Sequence, residues 1–195
     1  MGAGQSASKV KPPPAVAKTP RTEEVTDLDP GASRPWLAPG SAVLTLAAAD
    51  EMASTALREA NMKGFKPISV VVLDASGRAL VQKTDHRCPK LPPELAHGKA
   101  SLAVGMHTSS RALRDKYVPE KTPQLLAMTT IGASAGKPLA AFPGGVLCRD
   151  AAGKHVVGAI GVSGAAADED EHCAILGAQA VGLATEPASS ALMRA

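Results

Sequence analysis

The sequence predicts an α/β protein of the α+β kind, a small antiparallel sheet with helices packed on it. Two D-x-x-G turns, Asp74-Ala75-Ser76-Gly77 and Asp150-Ala151-Ala152-Gly153, each separate two short apolar runs and mark two hairpins. Helix-period segments surround them, so the element order reads α-ββ-ααα-ββ-α. A third signal is the run from Val156 to Ser163, a strand rich in small residues. It opens through Gly164 toward a helix headed by Asp168, Glu169, Asp170 and Glu171.

The elements follow in order. Residues 1–40 carry Lys11-Pro12-Pro13-Pro14, Thr19-Pro20, Asp29-Pro30, Arg34-Pro35 and Pro39-Gly40 with few large apolar side chains. Such a segment buries too little surface to offset its chain entropy, which predicts a disordered tail. The folded domain is expected over 41–185, with a short C-terminal tail over 186–195. Its first helix runs from Leu46 to Met62, with Thr45 as N-cap, Gly64 as stop and Ala49, Met52, Ala53, Ala56, Leu57 and Ala60 as its apolar stripe. Strands Ile68 to Asp74 and Arg78 to Thr84 form the first hairpin. Helices then span Leu91 to His107, Ser110 to Tyr117 and Thr122 to Thr130, and Pro138 to Pro143 is a connection or a short edge strand. The second hairpin pairs Gly145 to Arg149 with His155 to Ser163, and the last helix runs from Asp168 to Leu183.

On alternate positions of the last strand, Val156, Ile160 and Val162 point one way, and Val157, Ala159, Gly161 and Ser163 the other. The second face is small, so something lies close against it, either a helix or a flat ligand.

Composition narrows the function. A chain of 195 residues with formal charge +3 and only one Trp, one Tyr and two Phe has neither the basic footprint nor the stacking platform of a nucleic-acid binder. Cys88, Cys148 and Cys173 are odd in number and lack CxxC spacing; with no secretory signal this predicts a reduced, cytoplasmic setting. No apolar run reaches membrane-spanning length. The start Met1-Gly2-Ala3-Gly4-Gln5-Ser6 fits the N-myristoylation pattern at Gly2. Lys9, Lys11, Lys18 and Arg21 precede the first acid, Glu23, so lipid and charge together predict peripheral contact with the cytosolic membrane face. One acyl chain binds marginally, but several displayed on one oligomer would bind multivalently.

Several residues could carry chemistry. Lys99 falls in the apolar stripe of Leu95, Leu102 and Met106, where a lysine either snorkels at a rim or serves an anion-binding or catalytic site. The Gly161-Val162-Ser163-Gly164 loop before a helix resembles a phosphate cradle, but the four acids that follow would repel a phosphate. Those acids either compensate the helix dipole or send Asp170 or Glu171 into a pocket as a base or cation ligand. His86, His97, His107, His155 and His172 show no zinc spacing, and His97 and His107 point about 80° apart on one helix, so no metal site is expected. A single axial histidine to haem leaves no spacing signature. Gly144 and Gly145 form a turn or let a ligand touch backbone.

With these residues in view, the region from Thr45 to Leu183 resembles the GlcG/HbpS-like family of haem-degrading-domain proteins, which includes the C-terminal domain of PduO-type proteins. The resemblance rests on five blocks: Ser69 to Gly77, Gly98-Lys99-Ala100 with Gly105-Met106, Ser110-Arg111, Pro143 to Leu147, and Val157 to Gly164 with Asp170-Glu171 and Cys173-Ala174. It implies a profilin-like α/β/α fold with about five antiparallel strands and a symmetric homo-oligomer. Some members bind haem or assist its breakdown, and one sits beside a cobalamin enzyme. The chain departs from the family at Thr84-Asp85-His86, where an acidic-glycine pair is usual, and its first helix carries no histidine to act as the axial ligand a relative supplies there.

Two functional expectations result. One is a haem- or tetrapyrrole-binding protein, with His86, His97, His107, Arg111, Gly144, Gly145 and Ser163 as ligand-binding candidates. The other is an isomerase- or lyase-like enzyme on a small oxo or hydroxy acid, with Lys99 holding the substrate and Asp170 or Glu171 moving a proton. An oligomeric scaffold without catalysis is the third reading.

Overall fold

The computed structural model describes Met1 and residues 43–194; the proline-rich segment and the Gly2 signal lie outside the described residues. Helix α1 (Leu46–Met62) begins where the Thr45 hydroxyl accepts the Ala48 N–H at 3.2 Å and ends before Gly64, whose φ of 68° reverses the chain. Strands β1 (Ser69–Asp74) and β2 (Ala79–Thr84) follow as an antiparallel hairpin. Helix α2 (Pro92–Met106) starts on two prolines and ends at His107 in the left-handed conformation. Helices α3 (Ser110–Tyr117) and α4 (Thr122–Ser134) precede the second hairpin, β3 (Gly145–Arg149) and β4 (Val156–Ser163). Helix α5 (Ala167–Gln179), strand β5 (Ala184–Glu186) and helix α6 (Ala191–Arg194) complete the chain.

The five strands form one antiparallel sheet in the order β2-β1-β4-β3-β5, so pairing of β1 with β4 fuses the two hairpins. Both faces are covered. Helices α1 and α5 pack over Val70, Val72, Val146, Cys148, Ile160 and Val162, and α2 packs on the other face over Val71, Leu73 and Ala159 through Ala96, Ala100 and Ala103. This is the α/β/α sandwich of helices on a five-stranded antiparallel sheet.

What lies against the small face of β4 is α2. A Cβ on Gly161 would run into the carbonyl oxygen of Ala96 and stand 2.9 Å from Ala100 N. Protein therefore fills the space that a flat ligand would need. The structure corrects the facing of two residues. The β3–β4 register skips Val157, pairing Cys148 with Gly158 and Arg149 with Val156. Through this bulge Val157 joins the α1/α5 core and Val156 packs with the α2 core, the reverse of simple alternation.

Other differences are local. Pro138 to Pro143 is a connection, and β5 takes the edge of the sheet beside β3. The segment read as a C-terminal tail carries the end of β5 and α6, with Ser190 fully buried. A three-residue strand and a four-residue helix are too short to show a period in sequence.

Candidate functional site

Lys99 stands mid-way along α2 with its side chain 1% exposed, so it does not snorkel. Its ammonium donates to Asp170 Oδ2 at 2.8 Å and to the Val162 carbonyl at 2.8 Å, and lies 4.6 Å from the centre of the Phe142 ring. Asp170 comes from the first turn of α5, on the opposite side of the sheet, so the pair joins the two helical layers past the end of β4. Burial pushes the Lys99 amine below its usual range and the Asp170 carboxyl up to about 6, each partly restrained by the other's charge.

Beside this pair, Arg111 of α3 donates Nε–H to both oxygens of the fully buried Glu171 at 2.9 Å and pairs through Nη2 with Asp168. Ser110 accepts the Gly145 N–H at 2.8 Å and donates to the Phe142 carbonyl at 2.7 Å. Gly144 and Gly145 let these parts meet. A Cβ on Gly144 would lie 2.9 Å from Lys99 Nζ, and one on Gly145 would strike the Lys99 carbonyl. Ser163 closes β4 in register with Ser69 and is buried.

The acid run also serves the start of its own helix. Asp170 Oδ1 accepts the Ala165 N–H and Glu169 Oε2 accepts that of Ala166, each at 3.0 Å. Two of the amides at this helix start are thus already taken by carboxylates, whose charge also opposes an anion there.

The structure thus brings Lys99, Arg111, Gly144, Gly145, Ser163, Asp170 and Glu171 into one dense cluster, and leaves the candidate histidines outside it. His86 has a 90% exposed side chain beside Asp85. His107 is exposed at the end of α2. Half-buried His97 lines a pocket of about 360 Å³ between α2, the β1–β2 turn and the end of α4. Val104, Ile131, Pro138 and Leu139 wall it, with Ser101 and Lys137 as polar groups.

Sequence reasoning named His172 without a role. Its Nε2 lies 3.1 Å from Glu59 Oε1 and its Nδ1 3.0 Å from Ser190 Oγ, all three residues being buried. A carboxylate can only accept, so Nε2 carries a proton toward Glu59, and the Ser190 oxygen also accepts the Met193 N–H. The chain of bonds ties α1, α5 and α6 together. Ser190 is fully buried and doubly engaged, so the trio is a clamp and not a nucleophile assembly. Nothing in the spacing of 59, 172 and 190 announces it.

A single antiparallel sheet between helical layers, with a buried ionic cluster at one end and an apolar pocket beside α2, defines an α/β/α domain. The family model for haem-degrading HbpS-like proteins matches residues 44–179. The chain belongs to the HbpS-like family. No curated protein matches it. Among solved structures, a PduOC complex with haem has TM-score 0.62 at 24% identity, covering 74% of this chain and 99% of that one. HbpS has TM-score 0.59 at 29% identity over 77% of this chain and 99% of its own. An HbpS double mutant from Streptomyces reticuli has TM-score 0.59 at 27% identity, over 87% and 99%. Among the described residues no helix is long and apolar enough to cross a membrane.

Proposed function

We propose that this protein binds haem or a related tetrapyrrole in the pocket lined by His97. The observation that carries the reading is the pocket itself, where a half-buried imidazole faces a space with apolar walls and a lysine at its edge. Those residues fit the group: an imidazole suits the iron, Val104, Ile131 and Leu139 suit a macrocycle, and Lys137 suits a propionate. Bound haem would supply an iron that takes a nitrogen ligand, which His97 would provide. Membership of the haem-degrading HbpS-like family and the haem held by PduOC support the same ligand.

At about 360 Å³ the pocket is at the small end for ligand sites, so one copy would leave a tetrapyrrole part-exposed. Ile131 lines the pocket and is 69% exposed, and Leu126 on the same helix is 66% exposed. A second copy seated on α4 would bury both and complete the cover, which supports a homo-oligomer. In this reading Lys99, Asp170 and Glu171 hold the two helical layers together and do not touch ligand. Acylation at Gly2, a signal carried by sequence alone, would place the oligomer on a membrane surface; mass spectrometry of the N-terminal peptide from a eukaryotic host tests it.

Titration of hemin into the purified full chain tests the haem reading. A saturable Soret shift that is lost in His97→Ala supports it. Absence of a shift in the unmodified protein refutes it, and a shift unchanged in His97→Ala refutes the pocket.

A further inference from the structure

At the C-terminal end of α2, a second and shallower pocket of about 440 Å³ is lined by Ala75, His107, Arg149, Lys154, His155 and Val156. Four of its six lining residues carry nitrogen donors on their side chains, and none carries a carboxylate. We propose that this cleft binds a small dianion, a phosphate or dicarboxylate group, independently of any tetrapyrrole.

Three acids stand nearby; Asp74 is engaged elsewhere, while Asp150 and Glu186 lie against the cleft's own cations without lining it. Asp74 accepts from Ser76 N, Ser76 Oγ, Arg78 N and Arg78 Nε at 2.6 to 3.0 Å. Asp150 accepts the Lys154 N–H at 2.8 Å and so shapes the turn that presents the Lys154 and His155 side chains. Glu186 accepts the Thr108 hydroxyl at 2.9 Å and lies 3.9 Å from Arg149 Nη2, beyond hydrogen-bond reach. The guanidinium fork is therefore placed for a better oxyanion partner.

A second observation points to the same place. His107 has φ 50° and is the one non-glycine residue among those described with a positive φ. The residue is the left-handed C-cap of α2, its N–H bonded to the Ala103 carbonyl, a conformation histidine adopts more readily than most residues. Here it turns the imidazole toward the hairpin that carries Arg149, Lys154 and His155. The negative end of the α2 dipole, about half a charge, opposes an anion here together with Asp150 and Glu186, so binding rests on the directed donors of Arg149, Lys154 and the two imidazoles rather than on net charge.

Proton NMR of the imidazole signals at fixed pH tests the proposal, with sodium phosphate, sodium succinate and sodium chloride added at matched ionic strength. The expected result is a saturable shift of His107 and His155 with phosphate or succinate but not chloride, while exposed His86 moves only with ionic strength. The stronger of the two dianions tells whether tetrahedral or planar oxygens suit the cleft. Arg149→Gln with Lys154→Gln should weaken the response about tenfold or more. Lys154→Gln alone, in an exposed turn, guards against misfolding of the pair and should weaken it severalfold. Shifts that chloride reproduces, or that survive in both variants, would overturn the assignment.

Discussion

His97 and Lys99 stand two residues apart on α2, about 200° apart around its axis, and their surroundings differ in every respect. Lys99 is sealed: its ammonium is fully partnered by Asp170, Val162 and the Phe142 ring, and glycines rather than space surround it. His97 is open, facing a pocket with apolar walls and no carboxylate. The residue with the more eye-catching chemistry is thus the one least able to meet a ligand. A buried ion pair contributes little net stability over an apolar pair, but half of one is very costly, so it joins layers through mutual dependence.

The largest effect should come from breaking that dependence. Asp170→Ala strands a buried ammonium and is expected to cost about 3–5 kcal/mol in chemical denaturation, whereas Lys99→Met with Asp170→Leu should recover most of it. An Asp170→Ala protein as stable as the parent would show that Lys99 reaches water after all. Next, Gly161→Val places branched carbons against the Ala96 carbonyl and should cost about 1–3 kcal/mol or more, because α2 cannot retreat from β4 without opening its own core. A neutral result would mean that the small face has room for something other than the helix.

Two aspartates sharpen the contrast through pH. Burial raises Asp170 to about 6, so its contribution to stability is fully present below about 4 and is lost as pH rises through about 6. Asp74 runs the other way. Burial pushes it up, but hydrogen bonds from Ser76 and Arg78 outweigh this and hold it at about 2. Its contribution is present above about 4 and is lost as pH falls through about 2; beside the exposed Arg78 it amounts to about 1 kcal/mol. Difference melts of Asp74→Asn and Asp170→Asn against the parent should therefore bend in opposite directions, and parallel curves would contradict the burial contrast. The smallest effect is expected at His97→Ala, about 0.5 kcal/mol or less, since no hydrogen-bond network depends on that ring.

Much of this architecture is written locally. Thr45, Gly64 and the D-x-x-G turns mark their elements through chemistry within a few residues, and the small face of β4 predicts a close neighbour. Lys99 in an apolar stripe signals an unusual lysine, but its partner lies 71 residues away and cannot be read from periodicity. The same holds for Glu59 and Ser190 around His172. The Val157 bulge escapes notice because valine gives no sign of a register shift. The His97 pocket is the least legible feature. It exists because the end of α4 lies over α2, and the large apolar residues of α4, Leu125, Leu126, Met128 and Ile131, are spread around its circumference among hydroxyls, so no stripe says which way it faces.

The contrast between the sealed and the open side of α2 is tested most directly by titrating hemin into three proteins side by side: the parent, His97→Ala, and Lys99→Met with Asp170→Leu. The account predicts that the ion-pair variant keeps the parent's Soret shift and affinity, while His97→Ala loses the shift or weakens it by tenfold or more. An unchanged His97→Ala titration together with loss of binding in the folded ion-pair variant would contradict it, and would move the ligand to the Lys99 side.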